Sequence, residues 1–296
     1  MAIRTFDHSG FIVEDIPRAH EFYEALFGAR PLFMVNLKTR TYTGWPIISF
    51  VEMGKHRFEL CLARHPLPPA EQSRPVPRIG FAVSRDQLST LPDRLAELQI
   101  AATPVPALPE GLGISECLRF HDPDGNIVEL AVWDGDGHAP HDKHAGRSAV
   151  QVTDVCHVAL EVSDLPLAER FYTEALGLTF IHRDKGELGN GRTILKNGSG
   201  QLLFLEAVDQ LSERSLFCGP DPSTAPKVGN GRPHAGAHIA VSVADDDAYR
   251  AMESKLRAWK VTTDGDVRKA ERPIGELSEY FYDPAGNRLQ LIVVSP

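Results

Sequence analysis

The sequence predicts an α+β protein assembled from four copies of one βαβββ unit. Three observations carry this expectation. A short strand motif (polar head, any residue, Ala or Gly, apolar, any residue, Val) recurs at His8–Val13, Arg78–Val83, His157–Val162 and His238–Val243, reading HSGFIV, RIGFAV, HVALEV and HIAVSV. The first and third copies run into the same helix at a constant offset of 149: Asp15 with Asp164, Pro17 with Pro166, Phe22-Tyr23 with Phe171-Tyr172, Gly28 with Gly177. An Asp-Pro-x-Gly-Asn turn appears at Asp122–Asn126 and again at Asp283–Asn287, an offset of 161.

Each element follows from local chemistry. Alternation along His8–Val13 puts His8, Gly10 and Ile12 on one face of a strand. Asp15 is a helix N-cap, Pro17 suits the first turn, and Gly28 ends the helix. Ala19, Phe22, Tyr23 and Leu26 recur at helical spacing and form its buried stripe. Leu32–Leu37, Trp45–Met53 and Arg57–Leu62 then read as strands, with Gly54-Lys55 as a turn. Pro-rich residues Ala63–Pro77 form a connector. The second unit has a helix near Asp86–Leu98, a strand over Cys117–His121 and a closing strand over Ile127–Trp133. Asp134–Arg147 lacks periodicity and reads as a linker, its His138, His141 and His144 solvated. In the third unit Thr179–Arg183, Arg192–Lys196 and Gln201–Ala207 are strand-like. A long connector, Asp209–Ala237, suggests a loop over a pocket. The fourth unit has a helix near Asp245–Trp259. The expected domains are 1–135 and 151–296, joined by a linker at 136–150.

Composition narrows the function. The chain has 296 residues, 42% apolar and 24% charged, with a formal net charge of −9. Without a basic stripe, a nucleic-acid partner is not expected, because neutralising phosphates needs clustered Lys and Arg. No apolar run reaches membrane-span length. The opening MAIRTFDHSG lacks the apolar core of a signal peptide. Cys61, Cys117, Cys156 and Cys218 form no CxxC pair and read as free thiols. A cytoplasmic protein is the expectation.

Three of the four strand motifs begin with a residue that can ligate a metal: His8, His157 and His238. The fourth begins with Arg78, which cannot. His20, His56, His65, His121, His182 and His234 read as surface or loop residues.

Taken together, the motif strands, the paired helices and the paired turns resemble the vicinal oxygen chelate superfamily of glyoxalase I, methylmalonyl-CoA epimerase, bleomycin-resistance proteins and type I extradiol dioxygenases. The resemblance spans nearly the whole chain. It implies two half-open barrel domains, each from two units, with a metal on the concave face held by residues of first and last strands. Four units in one chain is the architecture of the extradiol dioxygenases. First strands offer His8, Arg78, His157 and His238; last strands offer Glu59, Glu129, Phe204 and Gln290. If units pair in order, His157, His238 and Gln290 occupy the positions of the extradiol triad. If the first unit pairs with the fourth, the set is His8, Glu59, His238 and Gln290, and Arg78, Glu129, His157 and Phe204 make a spoiled site. In the sequential pairing the N-terminal set is His8, Glu59 and Glu129 with Arg78 intruding, and Arg78 either forms an ion pair with Glu129 or Glu59 in a structural, metal-free domain or holds an anionic substrate group. Tyr280 lies ten residues before Gln290, where extradiol enzymes carry an active-site tyrosine, while Leu202-Leu203 and Glu271 stand near the places of their shuttle histidines.

The resemblance thus implies a mononuclear metalloenzyme with metal ligands among His8, His157, His238 and Gln290 and with Tyr280 as the catalytic side chain. Fe(II) is the leading metal, with Mn(II), Zn(II) and Ni(II) as alternatives. The leading reaction is O2-dependent cleavage of a catechol-like aromatic with vicinal oxygens. The amide of Gln290 is a poorer ligand for Fe(II) than a carboxylate. It keeps open a glyoxalase- or epimerase-like isomerase or lyase using a divalent metal without O2, and a small-molecule-binding resistance-type protein is a third reading. A homo-oligomer is a plausible assembly.

Overall fold

The computed structural model describes residues 3–36, 46–54, 56–63, 67, 74–106, 108–134, 150–212, 227–228, 232–233, 238–261, 263–266 and 278–293. The first repeat contains β1 (Thr5–Val13), α1 (Ile16–Phe27), β2 (Arg30–Asn36), β3 (Pro46–Met53) and β4 (His56–Leu62). The second contains β5 (Arg78–Val83), α2 (Arg85–Glu97), β6 (Ala102–Pro104), β7 (Ile114–His121) and β8 (Ile127–Trp133). The third contains β9 (Val155–Val162), α3 (Leu165–Arg170) continuing as a π-helical turn over Phe171–Ala175, β10 (Thr179–Asp184), β11 (Arg192–Lys196) and β12 (Leu202–Ala207). A two-residue ribbon, β13 (Lys227–Val228) with β14 (Arg232–Pro233), precedes the fourth, which contains β15 (Ile239–Val243), α4 (Asp246–Ala258), β16 (Thr263–Asp266), β17 (Ser278–Tyr282) and β18 (Arg288–Val293). This is the expected α+β pattern of four βαβββ units. The linker histidines 138, 141 and 144, together with Trp45, His65, Cys218, His234 and Glu271, lie outside the described residues.

The helices form where caps and stripes predict them. Asp15 accepts a hydrogen bond from the Arg18 amide, and Gly28 ends α1 at φ 62°, a left-handed conformation that suits a residue without Cβ. Asp164 and Asp245 cap α3 and α4 in the same way. The buried face of α1 is Ile16, Ala19, Phe22, Tyr23, Leu26 and Phe27. Burying one such aliphatic or aromatic side chain contributes roughly 1.5–3 kcal/mol.

Two eight-stranded sheets result, ordered β16-β17-β18-β15-β1-β4-β3-β2 and β10-β11-β12-β9-β5-β8-β7-β6; the ends of each order are different strands, so neither closes. β1 pairs antiparallel with β15, and β9 neighbours β5. The first repeat therefore joins the fourth, and the second joins the third. By compactness the chain divides into one unit of Met1–Ser9 with Ala159–Pro296 and another of Gly10–Val158. They are called unit 1 and unit 2 below.

The two Asp-Pro turns are structural locks. In unit 2, Asp122 Oδ1 accepts the amides of Asp124 (2.9 Å) and Asn126 (2.7 Å), and Oδ2 accepts the Tyr23 hydroxyl (2.9 Å) and Asn126 Nδ2 (2.9 Å). Asn126 Nδ2 also donates to the Ile12 carbonyl. Unit 1 repeats this atom for atom: Asp283 accepts from Ala285 and Asn287 amides, Tyr172 hydroxyl and Asn287 Nδ2, and Asn287 reaches the Glu161 carbonyl. Each turn thus ties one repeat to the helix and first strand of the repeat before it. Burial lifts the Asp122 carboxyl to about 6 despite these donors. The recurring Phe-Tyr pair is explained here: the ring fills the core, and a buried hydroxyl needs a partner.

Candidate metal centre

In unit 1 the register gathers three donors on one sheet face. His8 on β1 and Gln290 on β18 both lie opposite Ala240 of β15. His238 precedes Ala240 by two residues, the period that returns a side chain to the same face. His8 Nε2 lies 3.2 Å from His238 Nε2, and His238 Nε2 lies 2.9 Å from Gln290 Oε1. All three residues are fully buried.

Neighbours orient two of the donors. Asp7 Oδ2 is 2.8 Å from His8 Nδ1. A carboxylate only accepts, so Nδ1 carries the proton and Nε2 turns its lone pair to the cluster. Gln290 Nε2 donates to Ser278 Oγ at 2.5 Å, which fixes the amide with Oε1 toward His238. Tyr280 lies directly across β17–β18 from Gln290. Its ring meets His238 edge-on at 4.8 Å. The Arg288 guanidinium covers the Tyr280 ring at 3.9 Å. The ten-residue interval between Tyr280 and Gln290 is therefore a cross-strand pair.

The donor spacing suits a metal ion. Two adjacent ligand atoms, each about 2.1 Å from an octahedral ion, stand about 3.0 Å apart. The observed 3.2 and 2.9 Å fall on either side of that value. Two imidazole nitrogens and an amide oxygen match ions of borderline softness. Among the described residues no group of three or more His, Cys, Asp or Glu side chains is placed to hold an ion. The unit 1 cluster has two of those residue types, and its third donor is an amide. Glu59 belongs to unit 2. It is buried there against Gly10, where an added Cβ would lie 2.9 Å from Glu59 Oε2. Gly10 follows His8 by two residues on β1.

His157 stands in a different cluster, and its chemistry there is that of a hydrogen-bonding residue. In unit 2, Glu129 on β8 lies opposite Gly80 of β5 and opposite Arg119 of β7. Glu129 is ion-paired with Arg78, whose Nε is 3.0 Å away, and with Arg119, whose Nη2 is 2.5 Å away, and it accepts hydrogen bonds from Arg119 Nε at 2.7 Å and His157 Nε2 at 2.6 Å. Arg78 also donates to the Pro75 carbonyl at 2.8 Å. Burial alone would raise the Glu129 carboxyl, but Arg78, His157 and Arg119 outweigh it and hold it well below the carboxylate range. Burial lowers the His157 imidazole against the pull of Glu129, so the ring is neutral near pH 7. Nε2–H then donates to Glu129, and Nδ1 faces the Cys156 thiol at 3.2 Å. The sequential triad of His157 with His238 and Gln290 thus differs from the observed pairing. Both ring nitrogens of His157 are engaged within unit 2, beside a guanidinium that cannot ligate. Of the two alternatives for Arg78, the ion pair with Glu129 is present.

The glyoxalase/bleomycin resistance protein/dioxygenase superfamily profile matches residues 5–130 and 155–291. The chain belongs to this superfamily. Among solved structures, a provisionally named dioxygenase from Bacillus subtilis subsp. subtilis str. 168 is similar at a TM-score of 0.72 and 14% identity, covering 100% of this chain and 86% of that one. Glyoxalase I from Zea mays is similar at 0.58 and 17% identity, covering 99% and 92%. A variant of the same maize enzyme gives 0.60 and 19%. At these identities the likeness is one of fold. No curated protein matches in sequence.

Sequence reasoning passed over Asp7, Ser278 and Arg119. Asp7 and Ser278 carry no periodic signal. Arg119 carried one: it precedes Glu129 by the same ten residues that separate Tyr280 from Gln290. His56, read as a surface residue, is buried, its ring 5.9 Å from Phe81 and its Nδ1 3.8 Å from Asp154. Its position at the start of a core strand outweighs its polarity.

Proposed function

We propose that unit 1 holds one divalent metal ion on His8, His238 and Gln290, and that the chain is an enzyme acting on a small molecule through two vicinal oxygens. The convergence of three donor atoms, two of them oriented by Asp7 and Ser278, carries this reading. A divalent ion held by His8, His238 and Gln290 would supply Lewis acidity to the substrate's vicinal oxygens and favour their deprotonated form. The chain's own residues bury the site, fix the donors and set Tyr280 beside His238 to hydrogen-bond the bound molecule.

The leading reaction is O2-dependent cleavage of a catechol-like ring with Fe(II). The four βαβββ repeats and Tyr280 beside His238 support it. A second reading is an isomerase or lyase that uses the metal without O2, favoured by the neutral Gln290 amide. Anaerobically prepared, Fe(II)-loaded protein offered a catechol and hydroquinone panel should consume O2. No uptake, with isomerisation of a thiohemiacetal by the Zn(II)- or Ni(II)-loaded protein instead, would sink the first reading and support the second. If His238→Ala leaves metal content unchanged, both fail.

A further inference from the structure

β1 carries an extra residue relative to its partner. Against β15 its register runs Thr5 with Ser242 and Phe6 with Val241, then His8 with Ala240, so Asp7 is inserted and the strand bulges there. The bulge acts directly on the candidate centre. Consecutive side chains of a regular strand point to opposite faces, so those of Asp7 and His8 would not meet in one. Here Asp7 Oδ2 lies 2.8 Å from His8 Nδ1. The carboxylate reaches the imidazole only while the bulge persists.

A side chain from the other sheet holds that bulge. The Phe6 amide, immediately before the inserted residue, donates to Gln201 Oε1 at 2.7 Å. Gln201 is fully buried and immediately precedes β12. Asn197 Nδ2 donates to the same oxygen at 2.8 Å, and the Thr5 and Ser199 hydroxyls lie 3.0 Å from it. An amide oxygen has two lone pairs. The two N–H donors are the shorter contacts, and each hydroxyl has another acceptor, the Phe6 carbonyl for Thr5 and Asn197 Oδ1 for Ser199. Gln201 is itself anchored. Its amide and that of Ser199 donate to Asn197 Oδ1. The Gly198 and Ser199 amides donate to the Ile3 and Arg4 carbonyls at 3.0 and 2.8 Å. The start of β1 and the β11–β12 turn thus form one hydrogen-bonded network, all of it inside unit 1.

We propose that Gln201 is a positioning residue of the candidate metal centre: by holding the Phe6 amide it keeps the β1 bulge that turns Asp7 onto His8 Nδ1. The inference rests on the metal reading of unit 1 for its effect on metal affinity, and the tautomer of His8 reports it independently. Gln201 touches no ligand atom and acts through two contacts in series, Gln201 with Phe6 and Asp7 with His8. Methionine at position 201 keeps the bulk and removes the acceptor, so the Phe6 amide loses the contact that fixes the bulge. Glutamate keeps an acceptor at the same reach, and the donors gathered there favour a carboxylate.

The test takes two readouts on wild type, Q201M, Q201E, D7N and D7N/Q201M. Co(II) affinity is measured by competition with a chelator. The His8 tautomer is read by nitrogen NMR of the imidazoles in metal-free protein at alkaline pH, its signals assigned by their loss in His8→Ala. Q201M should weaken Co(II) binding by about 10-fold, the low end for loss of a group that orients a ligating histidine. It should also move His8 from the Nδ1–H form to a mixture of tautomers. Q201E should restore both. D7N/Q201M should bind no more weakly than D7N, because the two residues act through one contact. Undiminished Co(II) binding in Q201M, an unchanged His8 tautomer, or losses that multiply in the double variant would each overturn the proposal. Should Q201M not fold, Q201N, one methylene shorter, carries the same comparison. If neither folds, Gln201 is a folding residue and the proposal fails. The two readings fail separately. A wild type that binds no Co(II), with a His8 tautomer that still depends on Gln201, removes the unit 1 metal reading alone. Co(II) binding in wild type and equally in Q201M removes this inference alone.

Discussion

Replacing Glu129 by Gln should destabilise unit 2 far more than its small change in shape implies. The carboxylate is ion-paired with Arg78 and accepts from Arg119 and His157, and both Arg78 and Glu129 are buried to within 1% of complete. Removing one partner of a buried pair leaves the other charge in a medium that solvates it poorly, at a cost of about 3–5 kcal/mol. The reverse change, Arg78→Met, should cost less, because Glu129 keeps Arg119, which is 15% exposed and partly hydrated, and His157. The double variant R78M/E129Q should recover much of the loss, since replacing a buried pair by groups of similar volume is often near neutral. In a unit of about 150 residues, 3–5 kcal/mol corresponds to a fall in melting temperature of roughly 6–20 °C. Thermal and urea unfolding of the four proteins at pH 7, followed by circular dichroism, gives the coupling energy directly. A cost below about 1 kcal/mol for E129Q, or a larger loss for R78M than for E129Q, would refute the account of a cation-centred cluster.

Other consequences can be measured alongside. Asp7→Asn should weaken metal binding by about 10–100-fold, as loss of a group that orients a ligating histidine does; retention of metal at equal affinity in competition with a chelator would argue against His8 as a ligand. Tyr280→Phe should keep the metal content of wild type while lowering turnover, so that loss of metal instead would make the ring a packing partner of His238. Gly80→Ala should displace the His157 ring and cost about 1–3 kcal/mol through overpacking, an effect absent if His157→Ala is already present. Unit 2 should also respond to acid. The folded His157 resists protonation, so its contribution is complete above the unfolded value of 6.5 and is lost as pH falls below it. Glu129, held low in the fold, adds a second loss below about 4.5. In unfolding experiments His157→Gln should lack the first of these limbs and keep the second.

The βαβββ repeat was legible because everything that makes it is local. Caps at Asp15 and Asp164, the stop at Gly28 and the alternation of the motif strands act within a few residues. Which repeat joins which was not legible. The four motif strands are nearly interchangeable as sheet neighbours, and their alternation fixes which face is buried without naming a partner. The choice shows only in distant contacts such as Phe6 N donating to Gln201 Oε1 at 2.7 Å or Thr153 N to the Ala82 carbonyl at 2.9 Å. The candidate ligands were found by repeat position, and the groups that aim them were not. Asp7 and Ser278 act through single hydrogen bonds whose partners are 1 and 12 residues away, and neither belongs to the repeat pattern.

The two clusters show how one scaffold supports opposite electrostatic solutions. In unit 1 the donors facing one another are two imidazoles and an amide, side chains that can offer lone pairs to an ion. In unit 2 the same register carries Arg78, Arg119 and Glu129, a set whose charges satisfy one another. The exchange of His for Arg and of Gln for Glu is coupled. A glutamate beside His238 would add anionic charge to a metal cup, while a glutamine beside Arg78 would leave that cation without its carboxylate. Each exception in the repeat, Arg78 in one half and Gln290 in the other, is therefore intelligible only with its cross-strand neighbours. A change at either position has to be judged by the cluster and not by the residue alone.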